Sequence, residues 1–306
     1  MKILLINLEF DCSGVAWILR NAINKTKHEA RVVIRQHTKI TEGKDYDLIF
    51  SKLEELEPLI EWADVLHFNT WIWTHQPTEV LPDRYAFKPE KQSSFFDRWK
   101  GKKKFIFHFH GGKSQLNPDY WLKECKKATI LKCDPIAPIK GALWLPNIID
   151  LEGVEPKERE GIKVSVASSL SDERRINKMV ESMLDYLNIE KDFVADLPKK
   201  EALERRNNYS VSIDNTTQGF IGMWGWESLA LGQTLIARLS EGTRIAYKEF
   251  LGSNPPIISC ENIDEIASEI RKLTPEKIRR NYHYNINWIK KHYKNIVNEY
   301  IKIYEK

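Results

Sequence analysis

The stretch KILLINLEFDCSGVAWILRNAINKTKHEARVVI, Lys2 to Ile34, decides the fold. Lys2 to Leu8 is a short apolar run, the mark of a strand buried in a parallel sheet. It reads as a first core strand rather than a signal peptide, since Glu9 and Asp11 follow at once. Asp11-Cys-Ser-Gly14 is turn chemistry. From Val15 to Asn24 the apolar residues Val15, Ile18, Leu19, Ala22 and Ile23 fall at helical spacing, and Ala30 to Ile34 returns to strand. A β-loop-α-β start of this kind opens a doubly wound α/β fold. Its loop holds Gly14 alone rather than Gly-x-Gly-x-x-Gly, so the fingerprint of a nicotinamide enzyme is missing.

Outward from this opening the same alternation continues. A helix is expected over Leu53 to Trp62 and strands over Asp64 to Phe68 and Lys102 to His110, with Gly111-Gly112 turning the chain. Between the two strands lies a long insertion, Asn69 to about Phe95, bearing Trp71, Trp73 and His75. Short strands at Ala128 to Leu131 and Ala142 to Leu145 close a first domain, 1–150. The charged stretch Glu152 to Glu160 reads as a linker. A second α/β domain, 151–284, then begins with a strand at Ile162 to Ala167 and a polar loop, Ser168 to Arg175. A helix over Ile176 to Leu187 follows, then strands at Phe193 to Leu197 and Val211 to Ile213 with a helix over Lys199 to Asn207 between them. Thr234 to Ala237 and Ile257 to Ser259 are further strands, and Ile263 to Leu273 a helix. Pro275 to Lys306 reads as one long or broken helix, whose last part, 285–306, forms a terminal segment of its own.

Length and composition agree with this plan. The 306 residues suffice for two ordinary domains, and 47 basic against 43 acidic residues leave a net charge of only +4. That balance gives no reason to expect nucleic acid, but it permits anionic substrates or an anionic membrane surface. Lys100-Gly-Lys-Lys-Lys104 is the basic cluster for such peripheral membrane contact; the alternative is a solvated edge. None of the four cysteines forms a Cys-x-x-Cys pair, so no metal site is expected. With no apolar run of the roughly 20 residues a bilayer needs, the expected location is cytoplasmic, with the inner membrane surface as a place of contact.

Chemistry is expected beyond the carboxyl ends of the strands. The richest such stretch is Gly219-Phe-Ile-Gly-Met-Trp-Gly-Trp-Glu-Ser-Leu-Ala-Leu-Gly232. It reads as a glycine-punctuated loop followed by a short helix with Glu227 in its first turn. Glycines let backbone approach a ligand, and a helix start offers free N–H groups to phosphate. A carboxylate at that point suits neutral hydroxyls instead, such as those of a ribose or sugar. A merely structural Glu227 would favour the helix dipole. Arg174 and Arg175, with Lys178 one helical turn on, have geometry for phosphate or lie on a solvated face. His108 and His110 share a face of their strand, and His110, beside two glycines, is the polar candidate of the pair. Trp71, Trp73 and His75 either line an acceptor groove or pack on their own domain.

Four stretches together resemble the GT-B glycosyltransferases of the family 4 type. Asp11-Cys-Ser-Gly14 with its helix is similar to the family's N-terminal glycine loop, and Phe107-His-Phe-His-Gly-Gly112 to its strand-end histidine. Leu145-Pro-Asn-Ile-Ile-Asp150 matches the Pro-Asn-x-x-Asp that closes the first domain, and Gly219 to Ala237 resembles the donor loop. The tail from Trp288 looks like the helices that return to the N-terminal domain. The resemblance implies two Rossmann-like domains facing across a cleft. It implies transfer of a sugar from a UDP-, GDP- or ADP-sugar to a glycan, lipid or small-molecule acceptor, with retention and without a bound metal or other cofactor. Glu227 would hold the ribose; Gly14, Asp214, Gln218, Gly219, Phe220, Gly222 and Ser228 would complete the donor side. Arg174, Arg175 or Lys178 would stabilise the departing diphosphate, and His110 would face the acceptor or the transferred sugar. Two departures stand out. Gly219 occupies the place of a second glutamate, and Ala167 to Arg175 replaces the usual Gly-Arg…Lys-Gly loop. Two alternatives are a noncatalytic relative that binds nucleotide-sugar or glycan and a nucleotide-sugar epimerase on the same fold; the latter would need a pair of acid-base carboxylates.

Overall fold

The computed structural model describes residues 1–8, 11–70, 95–99, 101–110, 128–137, 139, 141–167, 174–195, 197–214, 218–293 and 295–306. It divides into two units, Met1–Ile148 with Ile296–Lys306, and Ile149–Asn295. The first unit is built on β1 (Lys2–Asn7), β2 (Glu29–Ile34), β3 (Leu48–Ile49), β4 (Val65–Thr70), β5 (Lys104–Phe109), β6 (Thr129–Lys132) and β7 (Leu143–Trp144). They pair in parallel in the order β3-β2-β1-β4-β5-β6-β7. The second unit pairs β8 (Lys163–Ala167), β9 (Glu190–Val194), β10 (Val211–Ile213), β11 (Thr234–Ala237) and β12 (Ile257–Ser259) in the order β12-β11-β10-β8-β9. Both orders reverse direction next to their first strand, at β1/β4 and at β8/β10. These are the switch points where doubly wound sheets take ligands.

Alternation along the strands assigns the faces of the first sheet. Leu4, Ile6, Leu66, Phe68, Phe105, Phe107 and Phe109 enter one apolar cluster with Phe96 and Trp99. His67 and His108 point the other way, where α1 (Val15–Ile23) and α9 (Ile296–Glu305) lie. Ile296, Tyr300, Ile303 and Tyr304 recur at helical spacing on α9 and are all buried, each burial stabilising by roughly 1.5–3 kcal/mol before entropy. Lys104 Nζ donates to the carbonyls of Ile303 and Tyr304, and Lys103 Nζ to those of Glu61 and Ala63 at the end of α2 (Glu57–Trp62). Two lysines of the expected basic cluster thus cap helix C-termini, where cations are favoured. Among the described residues no helix is long and apolar enough to cross a membrane.

Several boundaries move for identifiable reasons. The helix expected from Leu53 starts as a tight 3-10 turn, with Pro58 in the first turn of α2 behind it. The expected strand at Phe193 to Leu197 is instead Glu190–Val194, paired along β8. A helix over Glu241–Leu251, here α6, has no counterpart in the sequence reading; Ser240 caps it. After α7 (Ile263–Arg271), the terminal helix is two, α8 (Pro275–His292) and α9, which belong to different units.

In the second unit α5 (Met223–Ala230) is followed by Gly232 at φ +75, and a Cβ there would lie 2.4 Å from Tyr282 Cδ2 on α8. Gly232→Ala combines a left-handed backbone with this clash. It is expected to lower stability by about 2–4 kcal/mol, read as a denaturant midpoint. An unchanged midpoint would show that α8 docks loosely.

Candidate functional site

Among the described residues, His110 and Asp214 stand directly beyond the carboxyl ends of β5 and β10, and Gly14 lies in the turn that follows β1. In the second unit Asp214 follows β10 and is buried. Its Oδ2 accepts from Gly222 N at 3.2 Å, at the start of α5. A Cβ on Gly225 would sit 2.5 Å from the same oxygen, so the absent side chain is what admits the carboxylate. Gly219, at φ +78, turns its carbonyl onto the start of α6, where Ser240 N (2.9 Å) and Thr243 Oγ1 (2.7 Å) donate to it. Ile221 N donates to Tyr247 Oη. Phe220 is half-buried and Gln218 exposed.

Glu227 requires correction. Because Met223, Trp224 and Gly225 are already helical, it stands in the second turn of α5 rather than the first, and it is buried. Its Oε1 lies 2.8 Å from Lys199 Nζ and its Oε2 accepts from Arg206 Nη1 at 2.7 Å. Both cations come from α4 (Lys199–Arg206), and both are buried. Arg206 also donates to Trp224 O and Ser228 Oγ at 2.7 Å, and its guanidinium stacks on the Trp224 ring, 3.6 Å from the centroid. Trp224 Nε1 and Ser228 Oγ meet Ser212 Oγ at 2.7 and 2.8 Å. Burial pushes the Glu227 carboxyl up, but Lys199 and Arg206 outweigh it and hold the group below the ordinary carboxylate range. The carboxylate expected to meet ribose hydroxyls is therefore engaged within its own unit. Lys199, Arg206, Ser212 and Trp224, which complete the network, are not marked by any motif; Arg205-Arg206 at the end of a predicted helix is the nearest signal.

Arg174 and Arg175 also move. They open α3 (Arg174–Tyr186) instead of ending a loop, and that first turn holds no acidic residue. Lys178, one turn on, is exposed. Ser168 to Glu173 lie outside the described residues.

In the first unit Gly14 has φ +71 and precedes α1. The amides of Ala16 and Trp17 at that helix start both donate, at 2.9 Å, to the buried carboxylate of Asp11, which Tyr46 Oη also reaches. The space beside Gly14 is filled by Lys44, whose Cε would lie 3.1 Å from an added Cβ and whose Nζ stands over the Trp17 ring. The α1 amides that a phosphate would use are thus occupied by a carboxylate of the chain itself.

The histidines do come together, as the period of two requires. His108 and His110 have ring centroids 4.0 Å apart, and His67 lies 5.5 Å from His108. His67 Nδ1 pairs with Tyr304 Oη at 2.7 Å, a structural contact. His110 Nε2 pairs with Asn69 Oδ1 at 3.3 Å. Burial pushes all three rings down: His67 to about 3, aided by His110; His110 to about 4, against an opposing hydrogen bond with Asn147; and His108 well below the usual range. The strand-end histidine is thus a neutral imidazole at ordinary pH. Trp71, Trp73, His75, Gly111 and Gly112 lie outside the described residues. Among the described residues no cluster of three or more His, Cys, Asp or Glu could hold a metal ion.

Two doubly wound units, the final helix packed on the first, form the GT-B glycosyltransferase fold. HepE from Anabaena, solved in complex with UDP-glucose, is 12% identical, with 99% of each chain covered and a TM-score of 0.61. The sucrose-phosphate synthase of Thermosynechococcus elongatus is 10% identical over 100% of this chain and 98% of its own, with a TM-score of 0.58. A glycosyltransferase from Rickettsia africae is 11% identical, covers 99% and 97%, and scores 0.58. At such identities the likeness establishes the fold. No protein-family model matches the chain, and no curated protein matches it.

Proposed function

We propose that the protein is a glycosyltransferase that moves a sugar from a nucleotide diphosphate donor to an acceptor hydroxyl. The observation that carries this reading is the start of α3, beside the β8/β10 switch point: two arginines and no acid in its first turn. The starts of α1 and α5 are engaged by Asp11 and Asp214. A diphosphate accumulates charge as the glycosidic bond breaks, and guanidinium groups with helix-start amides stabilise that charge. The fold shared with HepE, whose structure holds UDP-glucose, supports a nucleoside diphosphate sugar as donor. The donor base is uracil, guanine or adenine; transfer is retaining and independent of metal. In the first unit a neutral His110 is suited to hydrogen bonding with a sugar hydroxyl rather than to charge stabilisation.

Nucleotide release from a panel of UDP-, GDP- and ADP-sugars is the direct test. Arg174→Ala with Arg175→Ala is expected to lower kcat by about 10²–10³-fold with the circular dichroism unchanged. Full turnover in that variant would sink the phosphate assignment. A second reading, a binding protein without transfer, is favoured by the engagement of Glu227 with Lys199 and Arg206 and by Gly219 in place of an acid. Nucleotide binding without release of sugar from any donor would select it.

A further inference from the structure

We propose that Asn69 is a positioning and specificity residue of the first unit: it holds His110 in one tautomer and offers its own amide N–H to a sugar hydroxyl. The inference rests on the sugar-transfer reading. It starts from an irregularity in the sheet. Ile6 pairs with Phe68 on β4, but Asn7 pairs with Thr70, so Asn69 is the extra residue of a bulge next to the β1/β4 switch point. Bulges interrupt a ladder and re-aim a side chain, and they recur beside functional sites. The bulged residue here is polar and only 3% exposed, in a sheet whose neighbouring positions are mostly apolar.

The contact it makes has chemical content. A carboxamide oxygen accepts hydrogen bonds and cannot donate, so Asn69 Oδ1 at 3.3 Å from His110 Nε2 requires the proton on Nε2. Nδ1 of His110 then carries a lone pair. Asn147 also engages the His110 ring and favours its protonated form, but neither Nδ1 nor Asn69 Nδ2, both buried, has a partner at hydrogen-bond geometry among the described residues. One is an acceptor and the other a donor, on side chains joined to each other. Buried groups of this kind are costly unless something pairs with them. A sugar ring supplies the complement, one hydroxyl oxygen accepting from Asn69 Nδ2 and another hydroxyl donating to His110 Nδ1. The alternative tautomer would present two donors, and the second hydroxyl would then have to accept rather than donate. The sugar is that of the donor or that of the acceptor; the chemistry is the same, and the two are separable by experiment.

The test uses the full chain with nitrogen-15-labelled histidine, His110→Gln assigning the resonances. Long-range proton–nitrogen spectra at neutral pH are expected to show His110 as a single Nε2–H tautomer. In Asn69→Leu a mixture of tautomers is expected. UDP-glucose without acceptor probes the donor sugar, and free glucose probes the acceptor. The His110 resonances are expected to shift with one of them. UDP release by Asn69→Leu is expected to fall about tenfold in kcat, while UDP affinity stays within about twofold, as loss of one hydrogen bond to a reacting sugar requires. An Nδ1–H tautomer in the unaltered protein would overturn the proposal. So would Asn69→Leu with the same single tautomer and undiminished turnover. A chain that releases nucleotide from none of the sugars overturns the transferase reading instead, and the tautomer then still decides the Asn69–His110 pair.

Discussion

Replacing Arg206 with leucine is expected to destabilise the second unit by about 3–5 kcal/mol, enough to unfold it in much of the population. The side chain is 2% exposed and makes three hydrogen bonds of 2.7 Å, to Glu227 Oε2, Trp224 O and Ser228 Oγ. Its removal leaves a buried carboxylate facing Lys199 alone and takes the stacking partner from Trp224. Glu227→Ala is expected to lose a comparable amount, since it strands two buried cations. The double variant Arg206→Leu with Glu227→Ala should therefore fall well short of the sum, because the second change removes the charge that the first left unpaired. Denaturant midpoints of the three variants measure this. An Arg206→Leu protein within 1 kcal/mol of the parent, a margin typical of an exposed pair, would mean that water reaches the cluster. The network also bears on function. Loss of activity in Glu227→Ala is no evidence of a ribose contact, because the substitution dismantles the floor on which α5 rests.

Lowering the pH from 7.5 to 5 is expected to cost the first unit about 2 kcal/mol for each of His67, His108 and His110. Their folded pKa values are depressed, to about 3 for His67 and about 4 for His110, chiefly by burial. The unfolded chain takes up protons near the ordinary histidine value of about 6.5, while the folded chain does not. Stability is therefore complete above that value, declines as the pH falls below it, and stops declining once the folded rings protonate. The consequence is local, because His67 holds Tyr304 and the rings of His67 and His108 contact Tyr300. Amide exchange in β4, β5 and α9 is expected to accelerate together at pH 5. His108→Phe removes a ring whose two nitrogens have no hydrogen-bond partner among the described residues, and should reduce the pH dependence by about a third. Equal protection at the two pH values would show that the cluster is solvated.

Strands were the most legible feature. Parallel strands are covered on both faces, so β8, β10, β11 and β12 read as plain apolar runs and need no partner to be identified. The shared face of His108 and His110 followed from the period of two. The start of α3 was misplaced because Arg174 and Arg175 are as compatible with a loop as with a first turn. The helix α6 escaped because Glu241 to Leu251 mixes charges with only a narrow apolar stripe.

The site shows the same division more sharply. Glycines at 219 and 225 did mark places of close approach, and the approaching groups are Ser240, Asp214 and Ile221 of the chain itself; Gly222 has open space where a Cβ would stand. Asp11 and Asp214 looked like loop acids, and only folding aims them at helix amides. By itself the sequence determined two doubly wound α/β units, their strand content and the strand ends where chemistry gathers, because apolar periodicity is a local property of the chain. Only the tertiary structure decided what each polar residue does there. Lys199 and Arg206 meet Glu227, and Asn69 meets His110, across separations that no local pattern encodes, and burial then converts each encounter into a large energy.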